Sequence, residues 1–308
     1  MTSKTLFYIL KRLLLAVLTI FLVITITFFV MNAIPGGPFN SEKAVSEKTL
    51  AALNAKYGLD KPLFQQYLNY LGGVLRLDFG VSLKRDGFSV GQILMEGLGN
   101  SAKIGLFAAG LAIVFGILFG TIAAVFRGKW IDKIIMIFTT GSVAMPSFVI
   151  GTLLLIMFCL VIPIFPSVGA KPGGLVLPII SLALYPTSYI TRLTRSSMLD
   201  VLGQDFIRTA RAKGVSTGKV IFKHTLRNAL IPVITYIGPM IAYIVTGSLV
   251  VEQIFSVPGL GREFTSSIIN RDYTLIMGTT ILLATLVVIM NLVSDILYTI
   301  VDPRIDLG

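Results

Sequence analysis

The chain carries very little raw material for side-chain chemistry: one cysteine, one histidine and few charges. Cys159 lies inside an apolar run and has no second thiol to pair with, so an intrachain disulfide is excluded. With His224 as the sole histidine, no Cys/His metal cluster can form, and Ser-His-Asp chemistry is left almost without material. The GxxxxGK(S/T) frame of a phosphate-binding loop is missing. Gly128-Lys129 and Gly218-Lys219 lack its spacing, so this chain does not hydrolyse ATP by that route and is not expected to be an enzyme by itself. Charged residues make up 13% of the 308, against about 25% in a typical soluble domain.

The sequence is instead 55% hydrophobic, more apolar surface than a soluble fold of this length can hide. Six apolar runs stand out, at 13–31, 104–126, 134–162, 172–191, 228–251 and 273–294, and each is close to or beyond the roughly 20 residues a helix needs to cross a bilayer. The first run follows Lys4, Lys11 and Arg12 like a signal peptide. It is too long for a signal core and no small-x-small cleavage site follows, so it is read as a retained span. The organisation expected is an all-α membrane protein with six transmembrane helices: 1–31 as N-terminus and first span, 32–103 as a small extracytoplasmic domain, 104–300 as a five-helix core, and 301–308 as a tail.

Charge sets the orientation. The net +11 does not call for nucleic acid, because Lys and Arg collect in cytoplasmic loops of membrane proteins. The 192–227 loop holds Arg192, Arg195, Arg208, Arg211, Lys213, Lys219, Lys223 and Arg227 against Asp200 and Asp205. The 127–133 loop is also basic, whereas 252–272 sets Arg262 and Arg271 against Glu252, Glu263 and Asp272. Both termini are therefore expected in the cytoplasm.

Inside the 32–103 segment, residues 44–56 read as a helix ended by Gly58. Pro62 to Leu77 reads as an amphipathic one with Leu63, Tyr67, Tyr70 and Leu71 on one face. It is either a packed spacer or a docking surface. The second run has Ala108, Ala112, Gly116, Gly120 and Ala124 at every fourth position, a stripe suited to intrachain packing or to a subunit interface. Prolines interrupt later runs at Pro146, Pro178, Pro186, Pro232 and Pro239. Kinks there bring Ser142, Ser147, Thr187, Ser188 and Tyr189 toward mid-membrane, as cavity lining or as hydroxyls bonded back to their own helices; Ser142, Pro146, Ser147, Pro186, Tyr189 and Tyr243 are the candidate path residues. No run contains Asp, Glu, Lys, Arg or His, which argues against a stand-alone carrier, a charged-ring channel or an intramembrane enzyme.

The richest stretch is cytoplasmic. Residues 201–213 read as a helix with Leu202, Phe206, Thr209, Ala210 and Lys213 on one side. Gly214 ends it, and Ser216 caps a following helix with Val220, Ile221 and Leu226 as its apolar side. It is either an amphipathic loop on anionic lipid or a rigid lever for a cytosolic partner.

Arg208-Thr209-Ala210-Arg211-Ala212-Lys213-Gly214, followed by His224-Thr225-Leu226-Arg227-Asn228-Ala229-Leu230-Ile231-Pro232, resembles the EAA loop of ABC importer membrane subunits. Pro35-Gly36-Gly37-Pro38, Tyr57-Gly58-Leu59-Asp60-Lys61-Pro62, Asp78-Phe79-Gly80, the stretch from Glu252 to Gly261, Asn270-Arg271-Asp272-Tyr273 and Asp302-Pro303-Arg304 extend the resemblance over essentially the whole chain. It is most similar to the oligopeptide/dipeptide permease branch, and within it to the B-type oligopeptide permease subunit. Only Ala210, Gly214 and Leu226 match the general EAA form; the Arg-Thr-Ala and His-x-Leu-Arg variants are those of the peptide branch.

The resemblance implies a type I ABC importer permease fold in a bacterial inner membrane. It implies as partners a homologous second permease subunit, two cytosolic ATPases that carry the ATP and Mg, and an extracytoplasmic peptide-binding protein. This chain itself holds no cofactor and no metal. Asp205, Arg208, Thr209, Ala210, Arg211, Lys213, Gly214, His224 and Arg227 would form the coupling loop. Glu252, Pro258, Gly259 and Gly261 would form an outer gate or binding-protein contact, with the Pro-Gly-Leu-Gly run forcing a turn. The cargo implied is oligopeptide, with dipeptide, nickel-chelate or glutathione as alternatives within the same branch.

Overall fold

A computed structural model describes residues 3–35, 37–39 and 47–301. Gly36 of the opening turn, the first residues of the helix expected at 44–56, and Asp302-Pro303-Arg304 in the 301–308 tail lie outside the described residues. The described chain is helical, with one isolated antiparallel bridge between Val81 and Ser89. It divides into two compact units, Met1–Asn100 with Pro258–Ile289, and Ser101–Val257 with Met290–Asp306. Four helical stretches are long and apolar enough to cross a membrane: Leu10–Ala33, Val90–Val125, Ile231–Ile254 and Tyr273–Val293. A bent pair, Trp130–Ala144 with Ser147–Val161, makes a fifth if it counts as one span.

The first unit begins with α1 (Ser3–Ala33), followed by α2 (Glu47–Tyr57) and α3 (Leu63–Leu75). Gly58 ends α2 as expected, at φ +68, where a residue without Cβ is at ease. On α3, Tyr67 and Val74 are buried while Tyr70 and Leu71 are half-buried, but Leu63 faces outward at 44% exposure. Leu63 is the first residue of the helix, and the core contact begins one turn later. The unit packs Phe28 and Met31 of α1 against Tyr67 and against Tyr273 and Met277 of α14 (Tyr273–Val301). A second cluster joins Val90 and Leu94 of α4 (Val90–Val125) to Leu275 and to Leu260, the first residue of α13 (Leu260–Asn270). The helix α4 begins fourteen residues before the apolar run at 104, because Glu96, Asn100 and Lys103 are compatible with helix but invisible to hydropathy.

Two of the three acids of the 252–272 segment, Glu263 and Asp272, are engaged within this unit. Asp272 is buried; it accepts from the Leu83 amide at 3.1 Å and is hydrogen-bonded by the Ser82 hydroxyl. Glu263 pairs with Arg85 at 2.7 Å.

The second unit is built around α7 (Val176–Leu202). Against it pack α5 (Trp130–Ala144), α6 (Ser147–Leu155), α11 (Ile231–Val245) and α12 (Leu249–Ile254). Between α7 and α11 run α8 (Asp205–Ala212), α9 (Thr217–Lys219), a π-helical turn (Val220–Leu226) and α10 (Arg227–Ala229). The run expected at 134–162 does not form one straight span. Met145 precedes a proline, which disfavours the helical basin; it sits at φ −92, ψ 128, and the two helices diverge by 105°. A π-helical turn, Ile156–Val161, then closes α6.

The run at 172–191 becomes the first part of α7, which continues through Arg192 and Arg195 to Leu202. Pro186 is accommodated inside it, and Thr187 and Thr191 bond back to the carbonyls one turn earlier, Ala183 at 2.6 Å and Thr187 at 2.7 Å. The small-residue stripe of α4 is intrachain packing. Ala108 and Ala112 are fully buried, and a Cβ on Gly116 or Gly120 would stand 2.6 Å from the Ile190 Cβ or from the Thr191 carbonyl oxygen.

Candidate coupling loop, path and gate residues

The loop after α7 forms a short helix set on one buried anchor. Gly203 and Gln204 interrupt the helix expected over 201–213, so α8 starts at Asp205. Its buried side chain is Ile207, at 0% exposure, rather than Phe206, which is 41% exposed. The break at Gly203 resets the helical phase, which sequence periodicity read through. Ile207 enters a cluster with Met198 and Val201 of α7, Val220, Ala229 and Ala124, and Ala210 and Leu226 pack against it. The expected apolar side of the following segment is present: Val220 is buried, and Ile221 and Leu226 are half-buried.

Gly214 ends the loop helix in the left-handed region, φ +75, with nothing near the position of a Cβ. Just beyond α8, Val215 N–H closes onto the Ala210 carbonyl at 3.1 Å. Ser216 holds the N-cap position of α9, but its hydroxyl makes no capping bond. The remaining residues face outward. Arg208, Thr209, Arg211 and Lys213 are exposed, as is Asp205, which holds Arg208 in a loose surface pair at 3.4 Å. Such a pair contributes little in water, and the surface of α8 is basic overall. His224 is half-buried, its carbonyl taking a bond from Asn228 Nδ2 at 2.7 Å, and Arg227 is exposed.

Arg195 does not belong to this free basic surface. Its Nε and second guanidinium nitrogen grip both oxygens of Asp132 at 2.7 and 2.8 Å, and the Gly128 amide adds a bond at 2.8 Å. Asp132 is 4% exposed. This bidentate clamp ties α5 to α7 just above the loop. Sequence reasoning counted the two charges in separate loops; their 63-residue separation carries no local signal.

The candidate path residues do not form one cluster. Ser142 and Pro186 are buried, whereas Pro146, Ser147, Tyr189 and Tyr243 are exposed, Tyr243 at 83%. Ser147 offers its carbonyl to the Ser181 hydroxyl at 3.4 Å. Tyr189 packs against Tyr236 with ring centroids 4.2 Å apart and planes tilted by 32°, and Tyr185, one turn away on α7, is also exposed. Tyr189 was a path candidate, but its neighbours Tyr185 and Tyr236 were missed, although the Tyr185–Tyr189 spacing of four is a helical-face signal.

Of the candidate gate residues, Glu252 lies on α12 in the second unit, 1% exposed. Its carboxylate accepts from the Ser101 hydroxyl at 2.8 Å and the Ser248 amide at 3.2 Å. Gly247, at φ +95, leaves the room: a Cβ there would meet that carboxylate at 2.9 Å. In the first unit, Gly259 and Gly261 are buried at the start of α13, and the Pro258 carbonyl accepts from Asn100 Nδ2 at 2.9 Å. The tight backbone is at Ser256, φ 50, not at the glycines; Gly259 is extended and caps α13.

The chain is a membrane protein of packed, multiply broken helices, with an anchored, basic short helix between α7 and α11. Comparison with known proteins identifies the family. Residues 116–307 match the family described as binding-protein-dependent transport system inner membrane component, and residues 5–102 match its N-terminal companion. The chain belongs to this family of multi-pass membrane permease subunits. It is 43% identical over 301 residues to the dipeptide transport system permease protein DppB of Bacillus subtilis, covering 97% of this chain and 98% of that one. The same identity and coverage hold for the oligopeptide transport system permease protein OppB of Haemophilus influenzae. Identity to OppB of Escherichia coli K12 is 40% over 302 residues, with 97% and 98% covered. Among solved structures, the inward-facing MetNI methionine ABC transporter matches with TM-score 0.56 at 18% identity, over 68% of this chain and 97% of that chain. That likeness supports the type I permease fold.

Proposed function

We propose that this chain is a membrane subunit of an ATP-driven importer that carries peptides handed over by an extracytoplasmic binding protein. The observation that carries the reading is an exposed basic helix, α8, on a chain similar along 97% of its length to dipeptide and oligopeptide permeases. In this reading six spans cross a bacterial inner membrane with both termini inside. They are α1, α4, the α5–α6 pair, α7, α11 with α12, and α14, and residues 32–103 belong to the extracytoplasmic side. A homologous second permease subunit completes the path, and two cytosolic ATPases bind the ATP and Mg.

The coupling follows from the packing. Arg208, Arg211 and Lys213 pair with acidic groups of an ATPase. Ile207 transmits its motion into the α7 cluster, and the Asp132–Arg195 clamp carries it to α5. Gly214 is the elbow, with Asp205, Thr209, Ala210, His224 and Arg227 framing the contact. The exposed Tyr185, Tyr189 and Tyr243 offer a path surface without fixed charge, and selectivity rests with the binding protein. Pro258, Gly259 and Gly261, at the start of α13, belong to an outer gate, while Glu252 braces the start of α12 within its own unit. The test is ATP-dependent uptake of labelled peptide by liposomes holding this chain with its second permease and ATPases, binding protein added outside. Uptake that persists without ATPase or binding protein rejects the reading. If exchanging the binding protein alone leaves peptide preference unchanged, the assignment of selectivity is wrong.

A further inference from the structure

Helix α3 was expected to lie wholly outside the membrane, yet its contacts run along the sides of two apolar spans. Tyr67 hydrogen-bonds Thr25 of α1 through its hydroxyl at 2.9 Å, and its ring lies 5.5 Å from Phe28 and 5.4 Å from Phe29. Val74 packs in one cluster with Ile24 of α1 and Ile281 of α14. The uncharged part of α1 ends near Ala33 and that of α14 begins at Tyr273. At ~1.5 Å per residue, Phe29, Phe28, Thr25 and Ile24 lie about 6 to 14 Å in from the end of α1, and Ile281 lies about 12 Å in from the start of α14. The two spans agree, and a bilayer's hydrocarbon half-thickness is about 15 Å.

The composition of α3 fits that depth. Its thirteen residues hold no charge, while Asp60-Lys61 and Arg76-Asp78 bracket it. Its amide side chains are confined to another side: Gln66 bonds back to the Leu59 and Lys61 carbonyls, and Gln65 and Asn69 are exposed beside it. An uncharged amphipathic helix of this length is too short to span but suits an interfacial position. The Asp60-Lys61 end is the shallower one, and at the deeper end Arg76 is long enough to carry its charge back toward the headgroups. Its inner face is used up on α1 and α14. Its outer face presents Phe64 at 66%, Leu68 at 49% and Leu75 at 78% exposure. At the same depth α1 is also uncovered, with Ile26 59% and Val30 55% exposed.

We infer that α3 is a membrane-embedded interfacial helix, and that its Phe64–Leu68–Leu75 face is covered by lipid acyl chains, continuing the lipid-facing side of α1. The inference requires only that α1 and α14 cross the bilayer; it stands or falls apart from the cargo.

The experiment uses the full chain, assembled with its partner subunits in liposomes, with Cys159→Ser removing the only native thiol. Phe64→Cys and Leu68→Cys are labelled separately with a small fluorophore, so failure of one variant to fold leaves the other. Lys56→Cys on α2 is the water-exposed control. The expected result is loss of most fluorescence when the vesicles contain acyl-chain doxyl lipid, and labelling by a charged maleimide, admitted to both sides by freeze–thaw, many-fold slower than at Lys56→Cys. Rapid maleimide labelling without quenching would place the face in water and overturn the inference. Slow labelling without quenching would mean that protein, not lipid, covers it, and would overturn it equally.

Discussion

Adding one methyl group to Gly120 tests whether α4 and α7 are packed as closely as the structure has them. A Cβ at Gly120 would lie 2.6 Å from the Thr191 carbonyl oxygen and 2.6 Å from the Thr194 Cβ. Optimal carbon contacts are about 3.5–4.0 Å, so something must move by close to 1 Å. Neither atom is the end of a flexible side chain, so the movement falls on the helix axes. Overpacking of this kind costs about 1–3 kcal/mol, and the better helix propensity of Ala returns about 0.5–1 kcal/mol. The net loss expected for Gly120→Ala is therefore up to about 2.5 kcal/mol and centred on about 1 kcal/mol, a few degrees in melting temperature at about 2–4 °C per kcal/mol.

Gly110 supplies the control. It lies on the same helix with nothing within 4 Å of its Cβ position, so Gly110→Ala keeps the propensity gain without the clash. The assay is the fraction of purified complex that remains monodisperse after heating. Gly120→Ala must melt below wild type and Gly110→Ala must not. If the two variants melt together, the intrachain reading of the stripe is refuted and the subunit-interface reading returns.

Three further outcomes are expected. Arg195→Leu strands a buried carboxylate and lowers stability by about 3–5 kcal/mol, and adding Asp132→Asn recovers a large part of it; a thermal melt of the singles and the double checks the coupling. Ile207→Ala empties the anchor of α8 at a cost of about 2–4 kcal/mol, which loosens the helix and speeds tryptic cleavage after Arg208 and Arg211. Gly214→Pro cannot adopt φ +75, since proline is fixed near −65°. It abolishes peptide uptake while the chain still inserts and assembles, and normal uptake would remove Gly214 from the coupling elbow.

Much of this architecture is legible in the residues because it depends on short-range rules. Apolar runs gave the helices, Gly58 and Gly214 gave their stops, and the spacing of four gave the α4 stripe. What escaped depends on long-range or phase information. The break at Gly203 shifted the buried position from Phe206 to Ile207, and a periodic reading across the break had no means to detect it. The proline at 146 announced a kink, but the 105° bend depends on what the two halves pack against. The Asp132–Arg195 clamp joins residues 63 positions apart, each of which looks like an ordinary loop charge alone. Hydropathy puts α3 in the segment between spans, because its thirteen residues are too few to register as a span; its contacts with α1 and α14 come only from the structure. The exposure of the candidate path and gate residues, from Glu252 at 1% to Tyr243 at 83%, is a property of the packed helices and not of the residues' polarity.

The central claim is that this chain passes peptide only when driven by separate ATPases. The most direct measurement is uptake of a labelled peptide into liposomes containing this chain, its second permease and its ATPases, with binding protein outside and ATP inside. Accumulation that requires both the ATP and the binding protein is the predicted result. Transport by this chain alone, without ATPase or binding protein, would contradict the account.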